Sequence, residues 1–437
     1  MAIESDVLVI GGGLAGYASA LSAAREGAHV RLVSYKQSTL QAASGLVDVL
    51  GYTPDGEGPL VDPYSAIPDL PAEHPYRTVG VDTVRSALSL FDEVVPSYHG
   101  GQTDANALVP THGGTVKPTA RYPASVRAGL ASDERDALLV GFDGLVDFDA
   151  THVAAHLRSA GVPFGVRGVS IRFPGDLQAD AKVTRYAKLL ETNATVTVDG
   201  RQRQVRDALL DRVQSALDGE SRVGFPAVLG DDDVIGVRDA LEESLGAEVF
   251  EVPMGPPSLP GLRLEDDIFD ALDAAGVSIE TGNPVVDYEP VAETTGETSA
   301  TDESSRVDHV VVEKNGAEVP YSAEEYVLAT GGLVGKGVES DRESVYEPIF
   351  DCHVPHPEDR YDWFDRAAFG DHPFARFGVD TDDDLRPLDG DGSTEFENLR
   401  AAGAVLGGYD FAAEKSGSGV SLATGYAAGR AAAGGVA

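Results

Sequence analysis

The chain has 437 residues, of which 42% are hydrophobic and 24% charged, as expected for a folded protein of two or three domains. Its 33 lysines and arginines stand against 72 aspartates and glutamates, and the net charge of −39 argues against binding to nucleic-acid phosphates or anionic membranes. A single cysteine excludes an intrachain disulfide and an iron–sulfur cluster held by this chain alone.

The excess of carboxylates predicts adaptation to a salt-rich cytoplasm, with an ordinary acidic surface as the alternative. Only seven of the cations are lysines. So much like charge would weaken the compact state in dilute buffer, whereas a Debye length of about 3 Å at 1 M salt screens the repulsion. No apolar run approaches the ~20 residues that span a bilayer, and the start lacks the basic segment of a signal peptide. We therefore expect a soluble, cytoplasmic protein.

The N-terminal segment predicts a βαβ unit with a glycine-rich turn. A strand over 6–10, a helix over 17–26 and a strand over 28–34 follow each other, and Gly11, Gly13 and Gly16 spell G-x-G-x-x-G between strand and helix. Such a turn lets a phosphate approach the free N–H groups of the helix N-terminus. A tight turn without a ligand is the alternative. The predicted cofactor contacts are Gly11, Gly12, Gly13, Leu14, Ala15 and Gly16.

The end of the second strand departs from the usual dinucleotide pattern. An Asp or Glu normally binds a ribose hydroxyl there. This chain has Ser34 followed by Tyr35 and Lys36. Ser34 could hydrogen-bond a sugar, so it is a candidate cofactor contact. The sequence nevertheless indicates an adenosine half less securely than it indicates a phosphate.

Strand–helix alternations in the middle of the chain predict a second, smaller α/β domain. Two such units cover residues 137–171 and 222–252, after a Pro- and Gly-rich loop over 51–75 and a helix over 82–95. We therefore expect an inserted α/β domain over 76–253 and a first domain in two parts, 1–75 and 254–437. The second part begins with a helix over 262–275 and a strand over 277–281, and an apolar-poor stretch over 293–305 reads as an exposed loop.

Two late segments favour a flavoprotein over a nicotinamide dehydrogenase. Strands over 307–313 and 319–328 lead to an Ala-Thr-Gly-Gly sequence that resembles the late motif of flavin domains, and a Gly-rich stretch before the last helix resembles their C-terminal motif. In that motif an acidic residue meets the ribityl chain, and a helix N-terminus stabilises charge on the reduced flavin. Packing of small residues would explain either segment alone. The further predicted cofactor contacts are Thr330, Gly331, Gly332, Gly403, Gly407, Gly408, Asp410, Gly417, Gly419 and Val420.

The whole chain resembles the B subunits of anaerobic glycerol-3-phosphate dehydrogenase. The likeness rests on the segments 41–48, 74–76, 110–119, 141–148, 256–264, 377–387 and 405–410. Lys117, where the family more often has Arg, and Ser418 depart from its pattern. The resemblance implies a Rossmann-like, FAD/NAD(P)-binding type of α/β fold with an inserted smaller α/β domain, and it places Ser44 and Gly45 at the cofactor.

The resemblance also implies a non-covalently bound flavin, which the family description gives as FMN. The missing carboxylate after the second strand fits a cofactor without an adenosine half. The complete Gly-rich turn favours FAD. We therefore expect FMN, with FAD as the alternative.

A glycerol phosphate needs a cation for its phosphate and a base for its carbinol proton. Arg263, Arg386 and Lys117 lie in family-like segments and are candidate cations, with structural ion pairs as the alternative. His112 and His353 are candidate bases. No metal site is expected, because no cysteine completes the pair formed by His353 and His356.

The resemblance implies a flavin-dependent subunit that oxidises sn-glycerol 3-phosphate to dihydroxyacetone phosphate and passes electrons toward quinone. It would act beside a larger flavin-containing catalytic subunit and an iron–sulfur subunit associated with the membrane, and that partner could hold it at the inner face of the membrane. One alternative is a flavin reductase of the fumarate-reductase type. Another is a non-catalytic assembly subunit that holds flavin.

Overall fold

The computed structural model describes residues 2–36, 38–175, 177, 181–291 and 305–436. The strands of this part of the chain are β1 (Ile3–Ile10), β2 (Val30–Ser34), β3 (Tyr98–His99), β4 (Ala107–Pro110), β5 (Val116–Thr119), β6 (Tyr122–Pro123), β7 (Ala137–Phe142), β8 (Val166–Ile171), β9 (Thr195–Val198), β10 (Arg201–Gln204), β11 (Arg222–Pro226), β12 (Glu248–Val252), β13 (Ser278–Thr281), β14 (Val285–Pro290), β15 (Val307–Lys314), β16 (Ala317–Leu328), β17 (Glu339–Ser340), β18 (Val345–Tyr346) and β19 (Leu399–Ala401). The α-helices are α1 (Leu14–Arg25), α2 (Pro63–Ala66), α3 (Pro75–Val94), α4 (Ala150–Ser159), α5 (Val183–Glu191), α6 (Val205–Ala216), α7 (Val234–Leu245), α8 (Leu259–Ala274), α9 (Phe411–Glu414) and α10 (Gly417–Gly435).

The chain divides into two compact units. Unit 1 comprises Met1–Thr39, Tyr52–Val94 and Asp267–Ala437, and unit 2 comprises Leu40–Gly51 and Val95–Asp266. The domain division expected from the sequence stays a prediction. The contacts within the chain place its edges differently, because residues 76–94 belong to α3 of unit 1 and residues 40–51 join unit 2.

Unit 1 is built on a sheet with the strand order β13-β2-β1-β16-β15-β14, in which β19 also pairs with β16. The strands β13, β2, β1 and β16 run parallel, and β15 pairs antiparallel with β16. In this register Ile10 lies opposite both Val33 and Leu328. The turns after β1, β2 and β16 therefore lie together at the carboxyl ends of the parallel strands, where open α/β sheets bind their ligands.

Small residues let two helices of unit 1 approach each other closely. A Cβ added to Gly425 would lie 2.4 Å from the carbonyl oxygen of Ala15, and one added to Gly429 would lie 2.1 Å from that of Ser19. These glycines of α10 thus receive the backbone of α1, which explains the small residues of the C-terminal tail. On the sheet, aromatic and aliphatic side chains around Phe350 and Phe396 form a buried cluster with Leu8.

Unit 2 contains a four-stranded parallel sheet in the order β12-β11-β7-β8. Every residue of β7 and β11 is buried, as is usual for strands that are covered on both faces. Its core includes Phe142, Phe225 and Tyr186, whose rings stack or meet edge to face with their neighbours.

Most predicted elements have close counterparts in the structure. The helix over 234–245 and the strand over 248–252 have the predicted limits, and α1 and α8 each begin three residues earlier than predicted. The helix predicted over 82–95 is longer, since α3 starts at Pro75 and continues past a break at Gly80 (φ 76°). The loop predicted over 293–305 lies, but for its last residue, outside the described residues. In the part of the chain that the structure describes, no helix has both the length and the apolar character that crossing a bilayer requires.

Candidate functional site

The first and last glycines of the G-x-G-x-x-G turn are required by close backbone contacts. Gly11 has a φ of +121°, and a Cβ on it would lie 2.2 Å from the carbonyl oxygen of Ala329. A Cβ on Gly16 would lie 1.9 Å from the carbonyl oxygen of Gly11. These two positions therefore allow strand, turn and helix to pack, as the sequence predicts.

Gly13 differs from its neighbours because its Cβ direction is open. A Cβ there would meet no atom within 4 Å, and Gly13 is the N-cap of α1 with no side-chain cap. Leu14 and Ala15 form the first turn behind it. The position that precedes the first turn of a twelve-residue helix is thus unobstructed, and a helix N-terminus is a position that suits an anion.

This open space is part of a cavity of about 430 Å³, which we call the cofactor cavity. Its volume lies in the ~300–1,000 Å³ range of small-molecule sites. The described residues that line it are Ile10, Gly11, Gly12, Gly13, Val33, Ser34, Tyr35, Lys36, Ser38, Thr39, Pro284, Val285, Val286, Ala329, Thr330, Gly331, Val334, Gly335, Lys336, Pro348 and Ile349.

The lining of the cofactor cavity has an unusual charge for this protein. It contains Lys36 and Lys336, and none of its described residues is an aspartate or glutamate. The chain as a whole has 72 acidic residues and only seven lysines. A lining with cations, no carboxylate and a helix N-terminus favours an anionic ligand.

Two hydroxyl groups lie at the carboxyl ends of these strands, Ser34 at the end of β2 and Thr330 just after β16. The hydroxyl of Ser34 donates to the carbonyl of Lys36 at 2.9 Å. The hydroxyl of Thr330 is buried and has no hydrogen-bond partner among the described residues. A buried hydroxyl normally has a partner, so the Thr330 hydroxyl is an unsatisfied polar group in the wall of the cavity. The open turn, the lysines and this hydroxyl together fit the phosphate and sugar groups of a nucleotide cofactor.

The C-terminal glycine motif reaches the same turn. A Cβ on Gly403 (φ +78°) would lie 2.5 Å from the Cβ of Ala15, and one on Gly332 would lie 2.5 Å from the carbonyl oxygen of Ala404. The N–H of Gly403 donates to the hydroxyl of Thr424 in α10. The structure therefore brings the early, late and C-terminal motifs together within unit 1.

The remaining residues of the C-terminal motif lie at or just before the N-termini of α9 and α10. The carboxylate of Asp410 caps α9 by accepting the N–H groups of Ala412 and Ala413, both at 3.0 Å. A Cβ on Gly407 or on Gly408 would lie within about 3 Å of a carbonyl oxygen, so both are close backbone contacts. Gly417 begins α10, and Gly419 and Val420 are buried in its first turn.

The loop over 347–352 contributes Pro348 and Ile349 to the lining of the cofactor cavity, and it contains a buried carboxyl group. Glu347 accepts the N–H groups of Ile349 and Phe350 at 3.0 and 2.7 Å. Burial raises the pKa of Glu347 to about 7, despite these hydrogen bonds. Burial also raises the pKa of the Cys352 thiol, which keeps that cysteine protonated and unreactive.

Several predicted site residues lie in unit 2. Ser44 is half-buried, and Gly45 (φ +75°) fits closely against Pro260. Lys117 forms an ion pair with Asp48 at 2.7 Å. The ring of His112 lies beside Gly255, where an added Cβ would be 3.2 Å from its Nε2.

Arg263, another of the predicted cations, is held by a buried carboxylate. Its guanidinium contacts both oxygens of Glu251 at 2.7 and 3.2 Å and also the carbonyl of Gly230. Glu251 is 0% exposed and also accepts from the Ser125 hydroxyl. In unit 2, Arg263 thus has the bonding of a structural ion pair.

Arg386 and His353 lie in unit 1, outside the lining of the cofactor cavity. The guanidinium of Arg386 contacts Asp382 at 2.9 Å, and the N–H of His353 donates to Glu395 at 2.8 Å. All three predicted substrate cations are therefore paired with carboxylates. Their roles at a substrate, and those of the two histidines, stay predictions.

The sequence analysis missed the two lysines of the cofactor cavity. Lys36 comes two residues after Ser34, and Lys336 comes four residues after Gly332. In a chain with seven lysines, two positions so close to predicted motifs were a usable signal. The apolar part of the lining at 284–286 follows no motif and needed the structure.

Comparisons with known proteins identify the family of this chain. The FAD binding domain family matches residues 6–420. A probable B subunit of anaerobic glycerol-3-phosphate dehydrogenase from Halobacterium salinarum is 70% identical over 99% of both chains, and its salt-loving source agrees with the predicted salt adaptation. The B subunit of the anaerobic glycerol-3-phosphate dehydrogenase of Vibrio cholerae is 32% identical over 96% of this chain and 94% of that one.

Among solved structures, a 3-ketosteroid-delta4-(5alpha)-dehydrogenase from Rhodococcus jostii aligns with 99% of this chain and 97% of its own at 14% identity. Its TM-score of 0.36 carries no argument. The comparisons support a flavin, but the expected preference for FMN is not confirmed, because the matched family binds FAD. The chain belongs to the FAD binding domain family of oxidoreductases and, within it, to the B subunits of anaerobic glycerol-3-phosphate dehydrogenase.

Proposed function

We propose that unit 1 binds FAD non-covalently and that the chain is the FAD-dependent subunit of a dehydrogenase that oxidises sn-glycerol 3-phosphate to dihydroxyacetone phosphate. The observation that carries the cofactor proposal is the cofactor cavity, which combines the open N-terminus of α1 with two lysines and no carboxylate among its described residues. Phosphates would meet the N–H groups behind Gly13, and Lys36 and Lys336 would balance their charge.

The extent of the cofactor cavity favours FAD over FMN. FMN ends at its single phosphate, whereas the lining continues from the Gly-rich turn to Tyr35 and Thr39 and to the apolar residues Val285 and Val286. An adenosine group would have an apolar wall there and the hydroxyls of Ser34 and Thr39 near its sugar. The missing carboxylate after β2 is thus compensated by other groups.

When bound, a flavin supplies hydride acceptance from the carbinol carbon of the substrate. The residues of this chain hold it, and the close glycine contacts fix the backbone around it. We propose that a larger flavin-containing subunit and a membrane-associated iron–sulfur subunit complete the enzyme and pass electrons toward quinone, with this chain held at the inner face of the membrane by its partner.

A second candidate function is supported by the ion pairs of the predicted substrate cations. Lys117, Arg263 and Arg386 each have a carboxylate partner within 3 Å, which offsets the positive charge that a substrate phosphate would need. In this case the partner subunit would oxidise the substrate, and this chain would hold a flavin that relays electrons.

Two measurements test these proposals. The chain is purified in multimolar KCl, and its flavin is extracted and identified by mass; we expect stoichiometric FAD. Recovery of FMN, or no flavin after reconstitution with either cofactor, would overturn the cofactor proposal. Turnover of glycerol 3-phosphate with an artificial acceptor is then compared between the chain alone and the assembled complex. Activity of the chain alone supports oxidation in this subunit, and activity of the complex alone supports the relay.

A further inference from the structure

The cofactor cavity contains two lysines that have no counter-charge in the part of the chain that the structure describes. Lys36 and Lys336 line the cavity, and neither ammonium group forms an ion pair or a hydrogen bond with a described residue. By contrast, Lys117 is paired with Asp48 at 2.7 Å. The chain has 72 carboxylates, so two lysines that stay unpaired beside a cavity indicate a place for an anion.

Lys36 lies where a dinucleotide fold recognises the ribose of an adenosine. β2 ends at Ser34, and Lys36 follows two residues later, at the carboxyl ends of the parallel strands. A carboxylate near this place binds the 2′-hydroxyl of a ribose, whereas a cation accommodates a 2′-phosphate. Lysine binds phosphate as a point charge. With this lysine and no carboxylate among its described residues, the lining has the charge that suits a phosphorylated ribose.

The Ser34 side chain fixes the backbone that carries Lys36. Its hydroxyl donates to the carbonyl of Lys36 at 2.9 Å, and Ser34 is 8% exposed. The same hydroxyl lies against the Gly-rich turn, because a Cβ added to Gly12 would come within 2.6 Å of its oxygen. The proton of Ser34 is thus used within the fold. A charged group on the ribose would meet the lysine.

The cavity wall beside Lys36 suits an adenine base. Tyr35 is 58% exposed and Val286 is 42% exposed, and both line the cavity together with Val285. The Lys36 ammonium lies 6.0 Å from the centroid of the Tyr35 ring. An exposed aromatic ring and aliphatic side chains offer apolar contact area to a planar base. The surfaces for a base and for an extra phosphate therefore lie side by side.

We propose that Lys36 is a specificity-determining residue through which the cofactor cavity also accepts adenine nucleotides that carry a phosphate on the ribose 2′ oxygen. This inference rests on the proposed FAD site, since the adenosine half of FAD would occupy the same end of the cavity. The 2′-phosphate would contact the ammonium group of Lys36, and none of the described residues of the lining is a carboxylate that would repel it. Nucleotides of this class would compete with FAD for the chain.

The test compares ADP-ribose with 2′-phospho-ADP-ribose, which differ only in the 2′-phosphate. Each is used to displace FAD from the full chain in multimolar KCl, and flavin fluorescence gives the two dissociation constants. We expect the phosphorylated ligand to bind about fivefold more tightly, the upper range for an exposed ion pair. Lys36 is exposed, so Lys36→Met should keep the fold and make the two dissociation constants equal. The matched control is Lys182→Met, an exposed lysine of unit 2 that should leave their ratio unchanged.

Two further variants assign the preference to one position. Lys36→Glu supplies a carboxylate after β2, and we expect it to bind the phosphorylated ligand more weakly than ADP-ribose. Lys336→Met removes the other cation of the cavity and should leave the ratio of the dissociation constants unchanged. Equal constants in wild type, a preference that survives Lys36→Met, or FAD that neither ligand displaces would overturn the inference. A chain that binds no FAD would instead defeat the proposed function, and this inference with it.

Discussion

The open cofactor cavity of unit 1 and two buried charges of unit 2, Arg222 and Glu251, differ in how their polar groups are hydrogen-bonded. At the cavity, the position before the first turn of α1 is unobstructed, and the buried Thr330 hydroxyl has no partner among the described residues. In unit 2, Arg222 is 0% exposed, yet its guanidinium donates to carbonyls of four residues and packs on the ring of Phe164. Those carbonyls belong to Ala128, Leu130, Asp133 and Arg135. Glu251 is saturated in the same way by Ser125, Leu229 and Arg263.

This difference separates a binding site from a structural one. A buried polar group without a partner costs stability, so it persists where a ligand completes it. A buried charge that is hydrogen-bonded within the fold can bind a substrate only if those bonds rearrange. This difference supports the proposal that the cofactor cavity binds a ligand and that Arg222 and Arg263 are structural cations of unit 2.

The largest expected effect is on the cofactor cavity. Gly13→Asp places a negative charge where the phosphates should approach α1, while its Cβ meets no atom within 4 Å, so we expect loss of the flavin with the fold retained. Flavin content and circular dichroism measure the two outcomes. The matched control is Gly434→Asp, whose Cβ is equally unobstructed near the end of α10. A Gly13→Asp protein with stoichiometric flavin would show that the cavity is not the cofactor site.

The next largest effect is expected at Arg222, the buried cation of unit 2 that donates to backbone carbonyls. Arg222→Met leaves several buried carbonyls without a donor, and we expect a loss of about 3–5 kcal/mol in the free energy of unfolding. Arg167→Met is the control, because its side chain is 45% exposed in a pair with Glu220 and should cost less than about 1 kcal/mol. Equal losses in denaturant unfolding would contradict the distinction between the two kinds of charge.

Glu347 extends the comparison to unit 1, because it is a buried carboxyl group whose oxygens accept hydrogen bonds from backbone N–H groups. Its pKa is raised from 4.5 to about 7, so the native state binds its proton more tightly than the unfolded state does. The stability it contributes is therefore complete below pH 4.5 and is lost as the pH rises toward 7, by roughly 3 kcal/mol at ~1.4 kcal/mol per pKa unit. Melting curves from pH 4.5 to 8 measure this slope. Glu347→Gln should flatten it, and an equally steep slope in the variant would assign it to other groups.

The smallest expected effect distinguishes a structural ion pair from a substrate-phosphate contact as the role of Arg263. Lysine cannot reproduce the two contacts of the guanidinium with Glu251, so we expect Arg263→Lys to lower the stability by about 1–2 kcal/mol with flavin content and turnover of the assembled complex unchanged. The phosphate role predicted from the sequence gives the reverse pattern, with impaired turnover at an unchanged melting temperature. Thermal melts and steady-state kinetics on the same preparation decide between them.

The sequence was most informative where function depends on local backbone geometry. Gly11, Gly13 and Gly16 could be read without a structure, because a turn between one strand and one helix involves adjacent residues. The limits of α7 and β12 were predicted for the same reason. Spacing in the chain says nothing about which carboxylate faces Arg263, nor that His74 meets Glu414 from 340 positions away. The proposal of FAD over FMN likewise depends on the extent of a cavity that five separate segments line.

The strand order of unit 1 has a consequence for how the chain folds. β1 pairs with β16 along most of its length, and Ile3 lies opposite Tyr321. β16 in turn pairs with β15 and β19, and β15 pairs with β14. Closing so long a loop is slow, because its entropy is lost before the contacts form. Most of unit 2 is contiguous and can fold once residue 266 has left the ribosome. A chain halted at that stage would carry a finished unit 2 and an unpaired edge on β1, and such an edge recruits chaperones or aggregates.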